Sequence, residues 1–177
     1  SPSWYEKSET VDKPSRSAEL PLTVTNDARR VVPRFTTVTV SNVKVGPSPM
    51  WLQCSLIAMG GKPINNIVDV TNYIMLITAQ PTHAYDYDKL AGAQLGARMA
   101  TQGEKVTLLN GKTYECTIDD IVIADASGPV GLAGIMGGGT SEVSKATKNI
   151  VLEVANFDMY AVRKTSMRHG LFTDALT

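Results

Sequence analysis

Cysteine and histidine are scarce in this sequence, with two of each in 177 residues. Cys54 and Cys116 are too few for a disulfide framework, and a reducing cytoplasm fits them. His83 and His169 form no HxH or HxxxH pattern with a cysteine partner, so no transition-metal site is expected. No apolar run approaches the roughly 18 residues of a membrane helix, and no secretory signal is visible. Neither sign of charge is in excess: 17 basic and 17 acidic residues leave a formal net charge of zero. Domains that wrap a nucleic-acid backbone are usually basic, so any RNA ligand would be held here only in small part. Also missing are a Gly-x-Ser-x-Gly elbow, a Cys–His pair with a local signature, paired catalytic carboxylates and a phosphate-loop spacing.

What remains is an ordinary globular composition, 43% hydrophobic and 19% charged. Residues 1–33 are rich in Ser, Pro, Thr and charge and read as a linker or loosely packed arm, with "LPLTV" as a docking point. The domain proper is expected over 34–177. The chain starts with Ser and stops at "TDALT" without a closing element, which reads as an excised domain. "FTTVTVSNVKV" alternates as a strand, with a phase slip near Asn42 that suggests a bulge. "SPMWLQCSLIAMGG" predicts a helix with Ser48 as N-cap, Pro49 in the first turn and Gly60-Gly61 at its end. Met50, Leu52, Leu56 and Met59 are its expected apolar surface, and Cys54 is expected to be buried.

A second helix over 65–78 follows from Ile67, Val70, Ile74 and Ile77 at helical spacing, although its β-branched content favours a strand. Gln80-Pro81 closes it. "KVTLLNGKTYEC" predicts a hairpin on a type I′ Asn110-Gly111 turn. Strands follow at 120–125, 130–136 and 149–157, then a helix capped by Asp158 and stopped by Gly170. The expected class is α+β: a layered mixed sheet or β-sandwich of unusual topology with about three packed helices.

Candidate chemistry starts with Glu153. In "NIVLEVANF" both strand faces are apolar, so Glu153 is either a carboxylate in an apolar wall or a solvated group on an edge strand. His83, in "TAQPTHAYDYD", is either a base or donor held in a rigid turn by Pro81, or a plain loop residue. The glycines of "GLAGIMGGG" suit either backbone approach to a ligand or a tight hairpin corner. Lys145, Lys148, Arg163, Lys164 and Arg168 make the last third locally basic, which suits RNA contact or a solvated helix face.

The segments "KPINNIVDVTNYIMLITAQPTHAYDYDKL", "GEKVTLLNGKTYE", "DIVIAD…GLAGIMGG" and "TKNIVLEVANFDMYAVRKTSMRHGLFTDA" occur in an order and at a spacing that together match one family. Over residues 33–176 the chain resembles the editing domain of the bacterial phenylalanyl-tRNA synthetase beta chain. The resemblance implies hydrolysis of tyrosine wrongly attached to the phenylalanine tRNA, with no ATP-dependent aminoacylation site and no cofactor in this domain. It implies Glu153 as reader of the tyrosine phenol and His83 and Thr173 as the residues that position water at the ester. Gly134, Gly137 and Ala175 would line the pocket, with backbone amides of the glycine loop at the oxyanion. Implied partners are tyrosyl-tRNA(Phe) or free tyrosine and the rest of the beta and alpha chains, in the cytoplasm, with no membrane. Lys62 stands at a substrate-side position where the family often has arginine, Gly139 and Glu142 depart from its loop pattern, and Tyr85 replaces a usual Phe. The alternative is a non-catalytic module that binds an aminoacyl end or docks neighbouring domains.

Overall fold

The computed structural model describes residues 20–173. The segment richest in apolar residues on both faces, β10 (Ile150–Asn156), is the central strand of a three-stranded antiparallel sheet. Its neighbours are β2 (Arg34–Val40) and β3 (Thr82–Asp86). Central placement pairs both edges of β10; its Val151–Glu153–Ala155 face is fully buried, while the other face is buried at Ile150 and opens to solvent by Val154. Val151 and Tyr85 point toward a second, five-stranded sheet and share one core with Leu95, Ile121 and Ile123. That sheet runs in the order β1 (Thr23–Asn26), β4 (Gln94–Met99), β7 (Ile121–Ala124), β8 (Pro129–Leu132), β9 (Met136–Gly137). On the other side, Ala84, Ile150 and Val143 pack with Val40, Val43 and Ile67. With α1 (Met50–Ala58), α2 (Asn66–Thr78) and α3 (Met159–His169), the arrangement is an open α+β layering without a barrel.

Several local expectations are corrected. Residues 20–33 are built into the fold: β1 pairs parallel to β4, and Val32 is fully buried. Residues 1–19 lie outside the described residues. Ser48 does not cap α1. Pro49 takes that position, and the Ser48 hydroxyl donates instead to Asp69 Oδ2 at 2.5 Å. Asp69 Oδ1 accepts the Ile64 amide at 2.7 Å, so one buried carboxylate straps the start of α1 to α2. Leu52 and Leu56 are buried, but Met50, Met59 and Cys54 are exposed. In β2 it is Val38 that faces solvent, and the strand ends at Val40, with Asn42 at φ 58 where a bulge was expected.

α2 keeps its predicted boundaries, capped by Asn65 through the Ile67 and Val68 amides and ended by Ala79 in the left-handed region. Beyond Ile67, which packs inward, its orientation departs from the helical-spacing expectation. Asp69 and Thr71 are buried, whereas Val70, Ile74 and Ile77 face outward. The hairpin of β5 (Lys105–Thr107) and β6 (Thr113–Glu115) turns through a longer loop than a two-residue type I′ turn. Gly111 has a positive φ and Asn110 does not, and Leu108, at the mouth of the loop, is buried.

α3 follows the sequence closely, with Asp158 Oδ1 accepting the Ala161 amide and Gly170 ending it at φ 64. It is tied down by Asp120, which is fully buried and accepts from Thr165 Oγ1 at 2.6 Å, Arg168 Nη1 at 2.6 Å and the Thr117 amide at 2.8 Å. Burial alone would raise this carboxyl. The donors, with His169 at 3.3 Å, outweigh it and hold it below its ordinary value. His169 therefore serves this strap.

Candidate functional site

His83 sits on β3, a strand, where a turn was expected. Pro81 precedes the strand, and the connection from α2 is pinned by Gln80 Nε2, which donates to the Ala155 carbonyl at 2.9 Å. Thr82 Oγ1 adds a bond to the Thr71 carbonyl at 3.0 Å. In the β3–β10 ladder Glu153 lies directly opposite His83, and Val151 opposite Tyr85. Residues two apart share a strand face, so His83, Tyr85 and Glu153 all point to the same side.

Two of the three are buried and His83 keeps partial exposure. Glu153 is 5% exposed and Tyr85 1%. The Tyr85 hydroxyl donates to Glu153 Oε2 at 3.0 Å, and its ring meets the His83 ring edge-on with centroids 4.6 Å apart. Burial pushes the Glu153 carboxyl up from 4.5 to about 7, with the Tyr85 hydrogen bond pulling the other way. Burial first, then the charge and hydrogen bond of Glu153, raise the Tyr85 phenol well above 10, so the shared proton belongs to the phenol. Burial lowers the His83 imidazole from 6.5 to about 4, which leaves it neutral at physiological pH. A neutral imidazole of low basicity can accept a hydrogen bond from water but takes up a proton weakly.

The opposite wall is the β8–β9 corner. Gly134 turns it at φ 67, and a Cβ there would press on Phe157 and Val162. Gly137 lies against His83: an added Cβ would stand 2.5 Å from Cε1 and nearer still to Nε2. The glycine run thus serves both as a hairpin corner and as the close wall of a cavity. The amides of Ala133, Ile135, Gly138 and Gly139 all donate to backbone carbonyls, so these do not form the expected oxyanion site.

His83, Tyr85, Gly134, Gly137, Glu153 and Phe157 line a cavity of about 70 Å³, large enough to hold water. Beside it lies an open cleft of about 640 Å³, which includes Gln80, Arg163, Met167 and Thr173 in its wall. The two share Pro81, Gly134 and Phe157. Four of the sequence-derived site residues, His83, Glu153, Gly134 and Gly137, therefore meet on the small cavity. Thr173 lines only the larger cleft, with its hydroxyl donating to the Ile135 carbonyl at 2.9 Å. Lys62 is exposed and lines neither space. Ala175 lies outside the described residues.

Tyr85, known from the sequence only as a replacement of a usual Phe, also lines the small cavity. Its alternation with His83 was the available signal, lost because the segment was read as a turn. The aspartates of the same stretch have structural roles. Asp86, buried, accepts from Thr147 Oγ1 at 2.6 Å and the Asp88 amide at 3.1 Å. Asp88 accepts from Asn149 Nδ2 at 3.1 Å. Of the basic residues near the C-terminal end, Arg168 and Lys164 are paired with Asp120 and Asp119, and Arg163 lines the open cleft.

The family model for the B3/4 domain matches residues 31–177. Among curated proteins, the phenylalanine–tRNA ligase beta subunit of Moorella thermoacetica is 50% identical over 144 residues, covering 81% of this chain and 18% of the relative. That of Streptococcus thermophilus is 45% identical over 170 residues, covering 96% of this chain and 21% of the relative. The chain thus spans about a fifth of the length of these relatives. Among solved structures, an N-terminal fragment of the phenylalanyl-tRNA synthetase beta subunit from Pyrococcus horikoshii shares the fold. Its TM-score is 0.58 at 17% identity, over 85% of this chain and 49% of that one.

Proposed function

The chain belongs to the B3/4 domain family, and on that footing we propose that it is the editing domain of a phenylalanine–tRNA ligase beta subunit, hydrolysing tyrosine misattached to tRNA(Phe). The observation that carries this reading is Glu153: a buried carboxylate in a small, mostly apolar cavity beside the open cleft, opposite His83 and walled by glycine. A synthetic site shaped for phenylalanine rejects an added hydroxyl poorly, so a second site that recognises the hydroxyl is needed. A buried acceptor favours the ligand that donates to it and penalises one that leaves it unpaired.

In this reading the aminoacyl ester enters from the open cleft, and the side chain reaches past Gly134 and Phe157 toward Glu153. Gly134 and Phe157 border both spaces, which suits them as the threshold. The small cavity is below the roughly 300 Å³ of ordinary ligand sites, so entry of the ring requires it to widen. Water adds to the ester carbonyl. The carbonyl–oxygen bond to the terminal ribose breaks, and the products are tyrosine and free tRNA. His83, neutral, orients that water as a hydrogen-bond acceptor. Thr173 holds the β8–β9 corner through Ile135 and positions the cleft wall. Arg163 offers a cation on the cleft to the tRNA end. No cofactor is required by this chemistry.

The rest of the synthetase is the proposed partner, in the cytoplasm. Exposed Trp51, Ile57, Val70 and Ile77 give α1 and α2 an apolar outer surface suited to docking on it. No helix among the described residues is long and apolar enough to cross a membrane.

The test is deacylation of tyrosyl-tRNA(Phe) by the protein and by His83→Ala and Glu153→Ala. Hydrolysis by the wild type that falls with each substitution is expected, and absence of wild-type turnover sinks the enzyme reading. A second reading, a binding module without turnover, is favoured by the low basicity of His83. It predicts tyrosine binding without ester loss in the same experiment.

A further inference from the structure

The Tyr85 phenol is fully buried, and a buried hydroxyl needs a partner. Its partner is the carboxylate that the proposed function assigns to the ligand phenol. A phenylalanine side chain would fill the same ring space without that hydroxyl. The protein thus carries, on its own β3, the chemical group that its pocket is meant to detect.

We propose that Tyr85 is a specificity-determining residue whose hydroxyl is a resident occupant of Glu153, weakening the pocket's rejection of phenylalanine relative to tyrosine. The inference rests on the editing reading of the cavity. Selection there works through the unpaired acceptor: a phenylalanyl group should strand Glu153 without a donor. With Tyr85 in place Glu153 keeps a donor whichever ligand enters, so that penalty is softened. A tyrosyl ligand still gains, because a carboxylate has two oxygens and Tyr85 engages Oε2. It gains less, since it adds a second donor rather than supplying the first. The other titratable group lining the cavity, His83, lies opposite Glu153 in the ladder and is neutral, so it does not replace the missing discrimination.

The experiment compares wild type, Tyr85→Phe, Glu153→Ala and the double variant in the full-length protein. Two readouts are taken: hydrolysis of tyrosyl-tRNA(Phe) against phenylalanyl-tRNA(Phe), and titration of the Glu153 carboxyl by carbon NMR. Tyr85→Phe is expected to raise the tyrosine-over-phenylalanine ratio about tenfold, the worth of one net hydrogen bond. It should also move the Glu153 midpoint upward, because the donor that lowers it is gone. In the Glu153→Ala background the same change should leave the ratio flat. An unchanged or smaller ratio in Tyr85→Phe, with wild-type tyrosyl-tRNA hydrolysis intact, overturns the inference and leaves the editing function standing. A Glu153 midpoint that stays put or falls also overturns it. If neither ester is hydrolysed by wild type or Tyr85→Phe, the editing reading falls and this inference falls with it.

Discussion

Replacing Glu153 by Gln should stabilise the protein above neutrality and leave it nearly unchanged in acid. Burial raises the Glu153 carboxyl from 4.5 to about 7, so the folded state holds its proton more tightly than the unfolded chain does. Below pH ~4.5 both states are protonated and the folded protein carries no penalty. As pH rises through about 7 the folded state must hold a charge in an apolar cavity, and the contribution is lost. The displacement corresponds to about 3 kcal/mol, or about 6–12 °C in Tm for a domain of this size.

His83 has the opposite sign. Burial lowers it from 6.5 to about 4, so its contribution is full above the upper value and lost as pH falls through the lower. That is again about 3 kcal/mol. The two side chains face each other across the β3–β10 ladder, and between about pH 4.5 and 6.5 their slopes oppose. Wild-type stability should therefore be nearly flat over that window as far as this pair is concerned. Glu153→Gln should expose the His83 slope, with Tm rising with pH. His83→Asn should expose the Glu153 slope, with Tm falling. Thermal melts followed by circular dichroism from pH 4 to 8.5 measure both. If Glu153→Gln instead costs most stability near pH 6, the pair is a charged imidazolium–carboxylate bridge and the burial argument is refuted.

Gly137→Ala should cost about 1–3 kcal/mol of stability and a larger share of deacylation, because its Cβ overlaps the His83 imidazole. Equal loss in melting and turnover would remove the positional reading. Asp120→Ala should destabilise by about 3 kcal/mol and speed amide exchange in α3, since it strands the Thr165, Thr117 and Arg168 donors. Unchanged exchange in α3 would show that the strap is dispensable. A thiol reagent should modify Cys54 in the native protein and spare Cys116, which is fully buried and pushed up to about 11, mainly by burial. Mass spectrometry should find one label before unfolding and two after.

Some of this was legible in the sequence for a clear reason. Glu153 stands in a strand with apolar residues on both faces, a pattern that pointed to burial but left an edge strand open until the family resemblance was added. The Asp158 cap and the Gly170 stop of α3 were legible because they work through local bonds, which adjacent residues specify. The face of α2 was illegible because its inward side is polar. Asp69 and Thr71 are satisfied by Ser48, the Ile64 amide and the Val68 carbonyl, and two of these partners lie on other segments. Periodicity locates an apolar stripe but does not say whether solvent or protein lies against it. Cys54 failed for the same reason. Tyr85 was read as a mild replacement because the significance of one hydroxyl depends on what stands 3.0 Å away, and that neighbour is 68 residues along the chain.

The pairing of Glu153 with His83 has one further consequence. Their separation is fixed by a backbone ladder, which acts as a ruler between the group proposed to read the side chain and the group proposed to orient the water. Side-chain substitutions on β3 or β10 can retune either end of the ruler, but they leave its length alone. An insertion or deletion of one residue in either strand would do something different in kind. It would turn Glu153 or the His83–Tyr85 pair to the opposite face, and the cavity would lose one end entirely. A substitution therefore alters one end of the site, whereas a change of length removes it.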